Sequence, residues 1–248
     1  MKKILVFAFA AGILLSHESL AQQDSTKHTK TKKNVIKVNL TATALYVDAP
    51  LIEYERVLNR NQSMSLQLGY VTLPFGSSSG GVKYQSDIKK SGFTGTVDYR
   101  FYLPRENKDP APHGVYLAPF FSHYLFTNER NLDIASSSGS VEAMVLNSRL
   151  NLSSVGVELG YQFVLGKRWT IDCILFGPSY THYNVKMQLT GNLPQDEIDE
   201  NVEEILYALA QRYPFVGDLL EDDIAESSGK INTWNLGFRY SIHLGFRF

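Results

Sequence analysis

Apolar and polar residues alternate along most of this chain. That is the period of a β-strand, whose successive side chains point to opposite faces. The last segment shows it best. Trp234, Leu236, Phe238, Tyr240, Ile242, Leu244, Phe246 and Phe248 take the even positions. Asn235, Gly237, Arg239, Ser241, His243, Gly245 and Arg247 fill the odd ones. The pattern holds over residues 234–248 without a break, whereas strands of soluble proteins run to about 5–6 residues and membrane-crossing strands need roughly 9–11.

Seven more strands follow from the same reading. Residues 35–46 set Ile36, Val38, Leu40 and Ala42 against Lys37, Asn39, Thr41 and Thr43. Residues 50–58 set Ile52 and Tyr54 against Glu53 and Glu55, and residues 62–72 set Met64, Leu66, Leu68 and Tyr70 against Ser63, Ser65, Gln67 and Gly69. Residues 91–103 place Phe93, Val97, Tyr99, Phe101 and Leu103 opposite Thr94, Thr96, Asp98 and Arg100. Residues 153–165 place Val155, Val157, Leu159, Tyr161, Phe163 and Leu165 opposite Gly156, Glu158, Gly160 and Gln162. Two segments are noisier. In 114–126, Val115, Leu117, Pro119 and Phe121 share a face; in 169–187, Trp169, Ile171, Cys173 and Leu175 oppose Thr170 and Asp172, with a bulge or kink expected at Gly177-Pro178.

Which face is wet decides the fold. A soluble, lipocalin-like barrel points its apolar side inward, whereas an outer-membrane barrel turns it to lipid and keeps a polar interior. Here the polar side carries Lys37, Glu53, Glu55, Asp98, Arg100, Glu158, Asp172, Arg239, His243 and Arg247 among many Gly, Ser and Thr. Five acids against four firm bases suit a narrow, filled, eight-strand interior. Aromatic residues at strand ends (Tyr46, Tyr70, Phe101, Tyr102, Trp169, Tyr183, Trp234, Phe246, Phe248) are expected to form interfacial girdles. The expectation is an all-β, eight-stranded, antiparallel up-and-down transmembrane barrel with a polar network in place of a pore.

The connections agree. Segments 59–61, 104–112 and 166–168 are short; of the alternating connections, the first (47–49) is short and the others (74–90, 127–152 and 188–230) are long, matching short periplasmic turns and long outer loops. An even strand count then puts both ends of the barrel on the periplasmic side. Lys2 and Lys3, the apolar run 4–15 and the small-residue ending Ser19-Leu20-Ala21 have the order of a secretory signal, with cleavage expected after Ala21. The domain reading is therefore signal peptide 1–21, polar periplasmic leader 22–33, and barrel 34–248.

Composition removes other classes. The 248 residues carry a formal charge of −1, against the basic excess of a nucleic-acid binder. The single Cys excludes an intramolecular disulfide framework and a Cys-rich metal site. Cys173 sits on the apolar face and is read as a small hydrophobe. The one long apolar run, at the N-terminus, excludes a polytopic helical membrane protein.

The motifs also carry a resemblance. Tyr240, Ile242, Leu244, Phe246 and the terminal Phe248 resemble the C-terminal signature of bacterial outer-membrane barrels of the OmpA/OmpX-like superfamily. More narrowly, Val38-Asn39-Leu40, Ile52-Glu53-Tyr54-Glu55-Arg56 and Leu66-Gln67-Leu68-Gly69-Tyr70 resemble a family of small, functionally uncharacterised barrels common in Bacteroidota. The resemblance implies recognition by the barrel-assembly machinery, residence in the outer membrane of a Gram-negative bacterium, and contact with its lipids and lipopolysaccharide. It implies no activity.

Function is expected in the loops. Segments 74–90 and 127–151 have flexible tips (Gly76 to Gly81, Ser136 to Ser140) between strand-like flanks, and are expected as two protruding hairpins able to meet an extracellular partner. Segment 188–230 is different. Ile198, Val202, Ile205, Leu206 and Leu209 recur at helical spacing after Pro194, predicting a helix over 195–212 and a further turn near 215–222. Its acids (Asp196, Glu197, Asp199, Glu200, Glu203, Glu204, Asp218, Glu221, Asp222, Asp223, Glu226) face only Arg212 and Lys230, a net charge of −9. They lack the spacing of an EF-hand loop, so the favoured reading is a solvated face whose apolar stripe closes the barrel mouth; divalent-cation binding is the alternative.

Catalytic sets are weak. Gly76-Ser77-Ser78-Ser79-Gly80 spells a nucleophile elbow outside the strand–turn–helix setting it needs. Ser122-His123 and Ser179 with His182 lack a convincing third member. No catalytic residue, metal site or cofactor is assigned. The expected function is non-enzymatic, as surface structure or interaction; the alternatives are a lipid A-modifying outer-membrane enzyme and a soluble periplasmic ligand-binding barrel.

Overall fold

A computed structural model shows the chain closing on itself. It describes residues 32–45, 49–72, 83–135, 141–191, 198, 201–202 and 230–248. The strands are β1 (Asn34–Asn39), β2 (Leu51–Asn59), β3 (Gln62–Tyr70), β4 (Lys83–Tyr102), β5 (Gly114–Ala135), β6 (Val141–Leu165), β7 (Trp169–Thr190) and β8 (Lys230–Arg247). Each pairs antiparallel with the next, and β8 returns to β1, giving a closed eight-stranded barrel. Among the described residues, helix is confined to α1 (Leu40–Leu45) and to Ile198, Asn201 and Val202. The residue expectations for the signal peptide, most of the leader, the Gly76–Gly80 set, Tyr46 and the turn near 215–222 lie outside the described residues. So does most of the helix expected over 195–212.

The first strand is shorter than the alternation over 35–46 predicts. Asn39 ends it by capping α1: its Oδ1 accepts from the Ala42 amide at 2.8 Å, and its carbonyl accepts from Thr43 Oγ1 at 2.9 Å. Asn at an N-cap satisfies an amide that the helix cannot. The two following Ala residues then favour helix over strand.

The walls are unequal. β1 to β3 have 6, 9 and 9 residues, whereas β4 to β7 have 20, 22, 25 and 22. Residues 127–135 and 141–151 continue β5 and β6 as one antiparallel ladder up to Ala135↔Val141, the strand-like flanks that the pattern implied. Of segment 74–90, where a hairpin was expected, only 83–90 lies among the described residues, as the upper part of β4. β3 stops at Tyr70, and the upper part of β4 pairs with β5, from Lys83↔Asp133 onward. A bulge interrupts β7 between Ile174 and Gly177, where the phase of its faces shifts.

The faces of β5 to β8 carry a second, less obvious order. Phe121, Val155, Tyr180 and Leu236 form one row of cross-strand partners, and His123, Ser153, His182 and Trp234 form the next outward-facing row. On the side of this row that holds Asn34 and Phe248, the outer face is apolar: Leu117, Val157, Phe163, Phe176 and Phe238 are all exposed. The inner face there is ionised. Beyond the row the chemistry reverses on the same strands. Arg149, Asn147, Lys186 and Gln188 point outward and are exposed, while Leu132, Ile134, Met144, Leu146, Val185, Met187 and Leu189 pack inside with Val202 and Ile198.

Candidate functional site: the ion lattice of the barrel interior

Because side chains alternate, each strand delivers every second residue to the lumen. β1 delivers Lys37; β2, Glu53 and Glu55; β3, Ser63, Ser65 and Gln67; β4, Asp98, Arg100 and Tyr102; β5, Tyr116; β6, Glu158 and Gln162; β7, Asp172; β8, Ser241 and His243. All are buried. Every strand of the barrel therefore contributes to one polar cluster.

Two cations organise it. Lys37 Nζ lies 2.6 Å from Asp172 Oδ2, 2.9 Å from Glu55 Oε2 and 3.0 Å from Glu53 Oε1. Arg100 reaches Asp172 Oδ2 at 2.6 Å through Nη1, Glu53 Oε1 at 2.9 Å through Nη2 and Asp98 Oδ1 at 2.7 Å through Nε. Its Cζ lies over the Tyr116 ring, 4.7 Å from the centroid, and the Tyr116 hydroxyl donates to Asp172 Oδ1 at 2.8 Å. Gln162 bridges the two centres: Oε1 accepts from Arg100 Nη1 at 3.1 Å, and Nε2 donates to Glu55 Oε2 at 3.1 Å. Ser63 and Ser65 donate to Glu55 and Asp98. Charges taken out of water are tolerable only when paired and hydrogen-bonded in this way.

A second pair sits apart. Arg239 Nη1 donates to Glu158 Oε2 at 2.8 Å, and its guanidinium lies over the Phe120 ring at 5.2 Å. Arg247 is half-buried at the terminal rim, where it donates to the Lys32 carbonyl at 3.3 Å. Of the ten charged residues expected inside, Lys37, Glu53, Glu55, Asp98, Arg100, Asp172 and His243 meet in one lattice, Glu158 and Arg239 form the adjoining pair, and Arg247 stands at its edge. Tyr102, Tyr116, Gln162, Ser63, Ser65 and Gln67 complete it.

Two aromatic assignments are corrected. Tyr102 and Tyr183 do not belong to a girdle; both are buried inside. Tyr102 shares the parity of Asp98 and Arg100, so the signal was present in the alternation. Tyr183 changes face because of the bulge in β7. Outward-facing aromatics do cluster at both ends of the apolar surface: Trp169 packs edge-on to Phe246 at 5.5 Å, and Trp234 stacks on Tyr180 at 5.0 Å. Tyr240, Ile242 and Leu244 face outward on β8 between these two clusters, and the Phe248 amide donates to the Asn34 carbonyl at 2.9 Å.

The chemistry open to this interior is limited by its own pairing. Glu53, Asp172 and His243 bring ligand-type atoms within 4.8 Å of one another. Yet Asp172 Oδ2 already holds both Lys37 and Arg100 at 2.6 Å, so a metal ion there would stand against two positive charges. The Ser–His sets are split by the barrel wall. Ser122 points inward and His123 turns to Ser153 Oγ at 2.9 Å; Ser179 points inward, and His182 turns to Asn232 Oδ1 at 2.7 Å.

Comparison with known proteins adds the following. No curated protein matches the chain. Among solved structures, the crystal structure of a major outer membrane protein from Thermus thermophilus is 13% identical, over 87% of this chain and 98% of that one, with a TM-score of 0.35. The family described as "Protein of unknown function (DUF3575)" matches residues 13–200, three quarters of the sequence, and the chain belongs to that family.

Proposed function

We propose that this protein is an outer-membrane barrel whose lumen is closed by its ion lattice, and whose work is non-catalytic and carried by the extended sheet of β5 to β7 beyond the membrane. One observation carries the reading: the inversion of the two faces along the row from Phe121 to Leu236. A sheet in one solvent keeps its apolar side on one face. A sheet that passes from hydrocarbon into water must exchange them, because the apolar side is outward in lipid and inward in water.

The dimensions support it. From Phe246 to Trp234 is twelve residue steps, about 40 Å along a strand and about 28 Å along the membrane normal at a tilt of roughly 45°. That matches an apolar band about 25 Å tall between aromatic girdles. Export by the signal at 1–21, assembly through the Tyr240–Phe248 terminus, contact with lipopolysaccharide and an extracellular partner for the loops all belong to this proposal. The polar, ion-paired interior argues against a soluble barrel with an apolar ligand cavity.

Cell fractionation with heat-modifiable gel mobility tests it. The mature protein is expected to leave the envelope only with detergent and to migrate faster unheated than boiled. Release without detergent would defeat the membrane reading, and altered lipid A in a deletion strain would replace it with the enzymatic one.

A further inference from the structure

The barrel seam is incomplete on one side. β8 pairs with β7 along its length up to Lys186↔Lys230, but with β1 only from Val35↔Arg247 to Asn39↔His243. Among the described residues no strand pairs with residues 230–242 on the β1 side. Side chains substitute for the missing ladder. Thr41 Oγ1 accepts from the Ile242 amide at 2.9 Å, and Asn235 Oδ1 accepts from the Leu236 amide at 2.7 Å. Leu236 is correspondingly 80% exposed, the highest value among the described large apolar side chains.

This unpaired edge opens onto a cavity of about 340 Å³. Its floor is a ring of hydroxyls, including Ser122, Ser154, Ser179 and Thr181, above the ion lattice. Its walls are Phe126, Leu150 and Leu152, which face inward. Its lining also includes Leu45, Phe238 and Tyr240, each more than half exposed on the outer surface. One cavity therefore touches both the lumen and the face that the membrane reading assigns to lipid. A polar strand edge at membrane depth is stable only where protein or a polar cavity covers it.

We propose that this cavity binds one acyl chain, entering sideways from the outer leaflet between α1 and β8. The inference rests on the membrane reading above. The chain lies against Phe126, Leu150 and Leu152, and its ester or acid group meets the hydroxyl floor. A volume of 340 Å³ lies at the small end of ligand sites, which suits a single chain and not a whole multi-chain lipid. A phospholipid tail and a free fatty acid share this chemistry.

Photolabelling separates the outcomes. The mature chain is refolded into phosphatidylcholine vesicles containing a phosphatidylcholine with a mid-chain diazirine, irradiated, digested and mapped. Adducts are expected on outward Phe121, Val155 and Val157 and also on inward Phe126, Leu150 or Leu152. Adducts on the outward residues alone would overturn the proposal and leave the membrane reading standing. Adducts on neither set would remove the membrane reading, and the proposal with it. A parallel sample in unlabelled vesicles receives a diazirine fatty acid; inward adducts in that arm alone would identify the free acid as the source. Ser179→Phe, which fills the floor, is expected to abolish the inward adducts and keep the outward ones. Their persistence in that variant would overturn the cavity assignment.

Discussion

At the scale of single residues, Arg100 is the most heavily engaged side chain of the interior. It pairs with Glu53, Asp98 and Asp172 and covers Tyr116. Arg100→Met would leave several carboxylates facing Lys37 alone. Removing one partner of a buried ion pair costs about 3–5 kcal/mol, so the urea-unfolding midpoint of the variant in lipid vesicles is expected to fall steeply or refolding to fail. An unchanged midpoint would mean that water reaches the lattice. Gly160 makes a different demand. Tyr116 lies across it from the partner strand, and a Cβ at 160 would overlap the phenol ring. Gly160→Ala is expected to displace Tyr116 from Asp172 and to cost about 1–3 kcal/mol by overpacking, read as a lower midpoint in the same assay. Most of the interior was visible in the sequence at this scale, because parity alone places Lys37, Glu53, Asp98 and Asp172 on one face. Which carboxylate meets which cation was not, since partners such as Lys37 and Asp172 are 135 positions apart. Strand register and barrel closure bring them together.

At the scale of elements, β6 is the clearest case. Its odd residues are apolar from Leu165 to Val155 and polar from Ser153 to Asn147, while its even residues pass from Gln162, Glu158 and Ser154 to Leu152, Leu150 and Leu146. Arginine on the lipid-facing side near the midplane of a barrel costs about 2–4 kcal/mol and little near the interface. Val157→Arg is therefore expected to lower the unfolding midpoint in vesicles, and Asn147→Arg to leave it nearly unchanged. Equal effects would remove the boundary between the two regions. The alternation announced β6, but the strand was expected to begin at 153. Over residues 146–153 every odd position is polar (Asn147, Arg149, Asn151, Ser153), so the apolar face that runs from Leu165 to Val155 ends at Ser153. β1 erred the other way. Leu40 and Ala42 continue the alternation, yet Asn39 and the Ala-rich stretch behind it favour α1.

At the scale of the whole molecule, the interior is a shared knot. All eight strands send side chains into it, and Gln162 and Tyr116 fill the space between the charges. On the proposed reading, a lumen filled this way offers ions no continuous water path. Planar-bilayer recordings of the purified protein are expected to lack stable nanosiemens-scale openings, and sustained openings would show that the lattice parts. The unequal strand lengths give the barrel two different sides. β5 to β7 rise past the ends of β1 to β3, which stop early, as a sheet with its own apolar core around Leu132, Met144 and Val185; on the proposed reading this sheet lies beyond the membrane. The extended side is suited to present a surface, and the short side leaves the edge of β8 beside the hydroxyl-floored cavity.

By itself the sequence determined the kind of object this is. Period-two alternation over long segments, with charge on one face and aliphatic and aromatic residues on the other, is a local property, and it is enough to specify an all-β barrel with an enclosed polar interior. Tertiary structure decided what no local pattern contains. Closure chose the partners of Lys37 and Arg100, the bulge in β7 moved Tyr183 from the outer surface to the core, and the early end of β1 at Asn39 opened the seam. The physical reason is common to all three. Alternation assigns a residue to a face, whereas ion pairing, bulge phase and seam closure depend on distances between strands far apart in the chain, and those distances exist only once the barrel has formed.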